Sequence, residues 1–266
     1  MTDATVEDST GTWQRYRFVL WTDLLAPLSA AVVFFGLLIV VYTVTLSLAP
    51  RLGLSQPQIA HMLPGLMRQP GMTQLMTAFS DLLMLFFLWR IARRVADSAL
   101  IARYRGVGRL LPLLAGIGGV LLAVGTMFGI EALMTHHVVT FHPKSSDAFF
   151  APTGLLQYPI VIATAALIAP FVEEFYFRGV LLSWLKSKIT IAPAILVSAA
   201  LFGLVHLRFV GHPGAEGWVF TGVIALVGLI NAILASTTES LWPPFCLHAA
   251  YNSTLLAVAL LPRLLG

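Results

Sequence analysis

Long apolar runs broken by short polar stretches fill most of the chain after residue 23. A membrane-crossing helix needs roughly 20 mostly apolar residues. The pattern predicts spans over Leu28–Leu48, Leu75–Trp89 and Leu110–Met134, a fourth from Leu155, then Ile191–Leu207, Trp218–Ala235 and Leu241–Leu261. Between the first two, Pro50–Met72 is broken by Pro57, Pro64, Pro70, Gly53, Gly65 and Gly71, which predicts a loop or a surface-lying segment. If Gln56–Leu66 enters the bilayer, seven spans become eight. Ile91–Tyr104 is arginine-rich and suits an interfacial amphipathic helix, whereas His136–Pro152 is a polar loop. Gly125-Thr-Met-Phe-Gly129 offers small residues four apart, a candidate close-packing face. The expected fold is an all-α polytopic transmembrane bundle: a polar tail over 1–23 and a single membrane domain over 24–266.

Composition supports this pattern. The chain is 58% hydrophobic and 11% charged, with a mean hydropathy of +0.86, where a soluble domain carries about 25% charged residues. Asp3, Glu7, Asp8 and Asp23 make the tail acidic, against the basic, apolar, small-residue order of a cleaved signal, so the first span is expected to stay as an anchor. Cys246 is the one cysteine, which excludes an intramolecular disulfide framework and a Cys-cluster metal site. The net charge of +4 implies no nucleic-acid partner and instead reports orientation. With the tail inside, Arg15, Arg17, the arginines between 90 and 109, Arg178, Lys186 and Lys188 fall on the inner side. Only Arg51, Arg68, Lys144, Arg208 and Arg263 fall outside. This predicts an integral protein of the bacterial cytoplasmic membrane, in contact with lipid, with a cytoplasmic N-terminus.

Three clusters interrupt the apolar pattern where charge is costly. The first is Glu173-Glu174 with Arg178, directly behind Ile160–Phe171. Ionised side chains in lipid cost several kcal/mol unless paired or hydrated, so acids there are functional candidates. On a helix Glu174 and Arg178 share a face and Glu173 points about 100° away, leaving Glu173 free while Arg178 holds Glu174 ionised. The second is Phe202-Gly-Leu-Val-His206 and the third His248-Ala-Ala-Tyr-Asn252, each of which also fits a plain interhelical contact. If the fourth span runs on to Lys186, the fifth starts at Ile191 and the seventh at Pro243, depth can be compared from the inner end. Glu173 lies about 20 Å deep, His206 about 22 Å, Asn252 about 13 Å and His248 about 8 Å at ~1.5 Å per residue. Leu155–Lys186 must then be tilted, kinked near Pro170, or project beyond the bilayer.

Such a set permits hydrolysis: a glutamate polarising water, a histidine sharing its proton, and a His/Asn pair facing an oxyanion. Alternatively Glu173, His206 and His248 hold a zinc whose open position carries the water. Among other polar residues, Asp81 suits helix packing or a proton relay, Glu131 the interface, and Glu239 a capping role before the last span. His136, His137 and His142 suit a solvated loop, and Tyr176 and Tyr251 packing. Two further functional classes compete with hydrolysis. One is a secondary transporter or channel running through Asp81, Glu173, Glu174 and the histidines. The other is a non-catalytic immunity or partner protein.

At these residues the chain resembles the CAAX protease and bacteriocin-processing (CPBP) intramembrane proteases, which include the type II CAAX prenyl proteases. The pattern stands here as Glu173-Glu174-x-x-x-Arg178, Phe202-x-x-x-His206 and His248-x-x-x-Asn252, with Ser240-Leu-Trp-Pro as the lead-in to the last. The likeness covers about residues 155–256. It implies an intramembrane endopeptidase acting on membrane-tethered peptides or proteins, prenylated Cys-a-a-X substrates among them. It also implies that Glu173 activates water beside His206, that His248 and Asn252 stabilise the oxyanion, and that Glu174 and Arg178 support the site. Some members are described as metalloproteases, so zinc stays open on this count too.

Overall fold

The computed structural model describes residues 40, 42–44, 47–53, 55, 78–89, 108–136, 157–186, 188–207 and 215–265. Every regular element among them is helical. The principal helices are α1 (Ala78–Trp89), α2 (Leu110–Thr135), α3 (Tyr158–Lys186), α4 (Ile191–His206), α5 (Ala215–Thr238) and α6 (Trp242–Leu265). α2, α3, and the apolar parts of α5 and α6 are long and apolar enough to cross a membrane, whereas α1 and α4 are shorter apolar helices. The predicted first span, Gln56–Leu66, Ile91–Tyr104 and most of the polar loop after His136 lie largely or wholly outside the described residues.

α3 is the centre of the bundle. Phe175 through Ser183 are all buried, packed with Leu88 of α1, Phe202 of α4, and Ala232 and Ala235 of α5. Two smaller apolar clusters complete the core. One joins Ala115 and Ala123 of α2 to Val227 of α5 and Leu247 and Tyr251 of α6; the other joins Val161 and Ala166 of α3 to Leu256 and Leu260 of α6. α3 and α6 therefore run antiparallel along their length. Tyr176 and Tyr251 are core residues, as the packing expectation had them, and Glu131 is exposed near the end of α2.

α3 is continuous through Glu173, as the depth comparison required, but it is not a uniform α-helix. Ala163–Ile168 and Phe175–Leu181 are wound as π-helix, separated by the α-helical turn Ala169–Glu174 that carries Pro170. The first π stretch ends with the Ala169 N–H on the Thr164 carbonyl. The next bond in that register would join residue 170 to Ala165, and proline has no N–H to give. Asn252 of α6 fills the gap, its Nδ2 donating to the Ala165 carbonyl at 2.9 Å. At the second stretch, Ser198 of α4 donates to the Phe177 carbonyl at 3.3 Å. Backbone groups freed inside a membrane bundle must find such partners.

Two expectations need correction. Gly125 and Gly129 are exposed among the described residues, where a Cβ on either would meet nothing within 4 Å. The close approach is one face away, where a Cβ on Gly119 would collide with the Leu247 carbonyl of α6. Among the described residues, the face that α6 uses is therefore the one at Gly119. The second correction concerns Glu239, an exposed residue with φ of +50° in the turn between α5 and α6. Ser240 takes the capping role instead, its Oγ accepting from the Trp242 N–H at 3.3 Å. A short hydroxyl can fold back on the helix start from this position, which the left-handed turn at 239 sets up.

Candidate active site

Glu173 and Glu174 leave α3 in different directions, and the structure gives them opposite surroundings. Glu174 is fully buried with Arg178, whose Nε stands 3.1 Å from Glu174 Oε2 in the predicted i, i+4 pair. This contact is a charge pair without hydrogen-bond alignment, since neither Oε2 nor Nε has an aligned partner among the described residues. Arg178 is fixed further by donating from Nη2 to the Gly228 carbonyl of α5 at 2.9 Å and by lying 4.3 Å above the Phe202 ring. Gly228 makes room for this. A Cβ there would stand 2.9 Å from Phe202 Cδ1 and 3.3 Å from Arg178 Nη2.

Glu174 Oε1 accepts two aligned bonds, from Asn231 Nδ2 of α5 and from His248 Nδ1 of α6, both at 2.9 Å. Because an ionised carboxylate only accepts, His248 must carry its proton on Nδ1. His206 is held in the same way. Its Nδ1 lies 2.7 Å from the Phe202 carbonyl, one turn earlier on α4, and must donate to it. Each imidazole in its neutral form therefore carries its ring lone pair on Nε2.

Both Nε2 atoms face Glu173. Its Oε2 is 3.6 Å from His206 Nε2 and 3.8 Å from His248 Nε2, and the Glu173 side chain retains 24% of its exposure. Three lone-pair-bearing groups from three helices thus converge, with Phe202 packed against both imidazoles. The structure brings together Glu173, Glu174, Arg178, His206 and His248. Asn252 instead bonds to the α3 backbone at Ala165, eight residues before Glu173.

The zinc reading asks Glu173, His206 and His248 to close on one ion. The donor types suit zinc, but among the described residues no three His, Cys, Asp or Glu side chains form a group that could hold a metal ion.

Asn231 and Gly228 are the site residues that sequence reasoning passed over. Asn231 carried a signal, being an amide within the apolar run Trp218–Ala235 where polar groups are expensive. Gly228 carried none, because its part is to lack a side chain beside a residue fifty positions away.

With this geometry in hand, comparison with known proteins becomes specific. Residues 155–254 match the family model described as type II CAAX prenyl endopeptidase Rce1-like. Over these residues the chain is similar to that family. The Rce1-like region holds all the clustered groups named above, and the family is one of proteases. A protein of Bacillus subtilis (strain 168) named "Putative membrane peptidase YdiL" is 25% identical over 154 residues, or 57% of this chain. The chain spans 58% of that relative's length in the match. No solved structure matches the chain.

Proposed function

We propose that the protein is an intramembrane endopeptidase that hydrolyses peptide bonds of membrane-tethered substrates, prenylated Cys-a-a-X proteins among the candidates. The observation that carries this reading is the convergence of Glu173 Oε2 with two Nε2 atoms whose partner Nδ1 atoms are tied down. Separations of 3.6–3.8 Å suit groups that share a water rather than bond directly. Glu173 takes a proton from that water as its oxygen adds to the scissile carbonyl, with His206 sharing the proton before it passes to the leaving amine. His248 donates to the oxyanion only when Nε2 is also protonated, since its Nδ1–H is committed to Glu174. Asn252 has a second Nδ2 hydrogen to offer after the one given to Ala165. The distribution of basic residues supports a cytoplasmic membrane as its location, with the N-terminus inside.

Purified protein reconstituted with membrane-tethered peptides tests this. Glu173→Ala is expected to reduce cleavage by at least about 10²-fold, the usual contribution of a general base. Cleavage at the wild-type rate would remove Glu173 from the mechanism. Chelation with verified metal removal is expected to leave the rate unchanged, and loss restored by zinc would replace the metal-free reading.

A further inference from the structure

Asn231 lies fully buried on α5 and bonds to Glu174 rather than to Glu173. Its Nδ2 shares Glu174 Oε1 with His248 Nδ1, each at 2.9 Å. An amide in this position can be simple interhelical glue, tying α5 to α3. The neighbouring geometry says more. The Arg178–Glu174 contact supplies charge without an aligned hydrogen bond, and Arg178 Nη1 is buried with no hydrogen-bond partner among the described residues. The guanidinium therefore has donors to spare for a carboxylate that turned toward it, and bidentate Arg–carboxylate pairing is the stronger form of such a contact. Oε1 is turned toward His248 and also accepts the aligned bond from Asn231, three residues after the carbonyl that receives Arg178 Nη2.

We propose that Asn231 is a positioning residue for His248: by holding Glu174 Oε1 it prevents the carboxylate from closing onto Arg178 and so keeps the imidazole proton on Nδ1, with the Nε2 lone pair toward Glu173. Its catalytic meaning rests on the peptidase reading, but its structural claim does not. Without the amide, Glu174 rotates onto the Arg178 fork and His248 Nδ1 loses its acceptor. The proton then moves to Nε2, where Glu173 Oε2 can accept it. His248 and Glu173 would bond to each other instead of sharing a water.

Histidine nitrogens report this directly. Protein labelled with ¹⁵N only at histidine, in detergent micelles, gives long-range ¹H–¹⁵N signals that distinguish Nδ1–H from Nε2–H imidazole. His248 is assigned by the signal lost in His248→Gln. The wild type is expected to show Nδ1–H at His248, Asn231→Leu to show Nε2–H, and Asn231→Gln, which keeps an amide donor, to return toward wild type. In the cleavage assay Asn231→Leu is expected to lower kcat about tenfold, with KM within about twofold of wild type. If Asn231→Leu does not fold, Asn231→Ala takes its place, with the same expected signal. A His248 that stays in the Nδ1–H form in a folded Asn231 variant overturns the proposal. The spectrum needs no turnover, so a protein that cleaves nothing would sink the peptidase reading while leaving the test of Asn231 intact.

Discussion

Glu173 and Glu174 are adjacent in the chain, yet one keeps about a quarter of its exposure and the other none. The difference follows from helical geometry, which sends Glu174 toward Arg178, and from the density of donors around it. A buried ion pair is strongly destabilised by removal of one partner, because the survivor keeps its desolvation cost. Arg178→Ala is thus expected to lose about 3–5 kcal/mol of stability, read as a lower unfolding temperature in detergent or as failure to accumulate. Arg178→Lys should not recover it, since a single ammonium cannot reach Glu174, the Gly228 carbonyl and the Phe202 face together. At this scale the sequence was legible wherever a residue's role depended on its own helix. The i, i+4 pair and the free direction of Glu173 are properties of α3 alone. Asn231 and Gly228 were not legible, because their roles exist only where α5 crosses α3.

Helix α3 shows what single-helix reasoning leaves out. Continuity to Lys186 could be argued from depth, and Pro170 marked where regular winding must fail. The remedy, two π stretches with side-chain donors from α4 and α6, depends on neighbours. Asn252 thereby acquires a role beyond the oxyanion contact inferred from its motif, since it satisfies a carbonyl that proline leaves open. Asn252→Ala is accordingly expected to lower stability by about 1–3 kcal/mol, the cost of a buried acceptor left unpaired. Thermal unfolding of the inactive Glu173→Ala background, with and without the second change, measures this separately from catalysis. An unchanged unfolding temperature would show that the Asn252–Ala165 bond contributes nothing to the fold.

For the molecule as a whole, the bundle was expected from hydropathy, and the predicted boundaries of α2, α4, α5 and α6 fall within a few residues of those observed. Which helices touch was not, because apolar runs of similar length carry little information about their neighbours. The seam between α2 and α6 is the clearest case. It forms at Gly119 rather than at the more conspicuous Gly125 and Gly129, and it brings the helix ahead of the Rce1-like region against the turn of α6 leading to His248. Because the Leu247 carbonyl belongs to a helix backbone and cannot swing aside, Gly119→Ala is expected to cost about 1–3 kcal/mol in thermal unfolding, whereas Gly125→Ala should be neutral or slightly stabilising.

The π winding of α3 also bears on insertions and deletions. A π turn closes one residue later than an α turn, so each stretch takes up more chain than an α-helix of the same course would. Removing a single residue between Ala163 and Ile168 would let the backbone close in the α register along the same course, so the parts on either side would keep their faces. Val161, which packs on α6, would still face it. A residue removed from the α-helical turn Ala169–Glu174 has no such slack, and everything before that cut would turn by about 100° relative to the site. An apparently uninterrupted apolar helix thus tolerates a one-residue loss in one turn and not in the next.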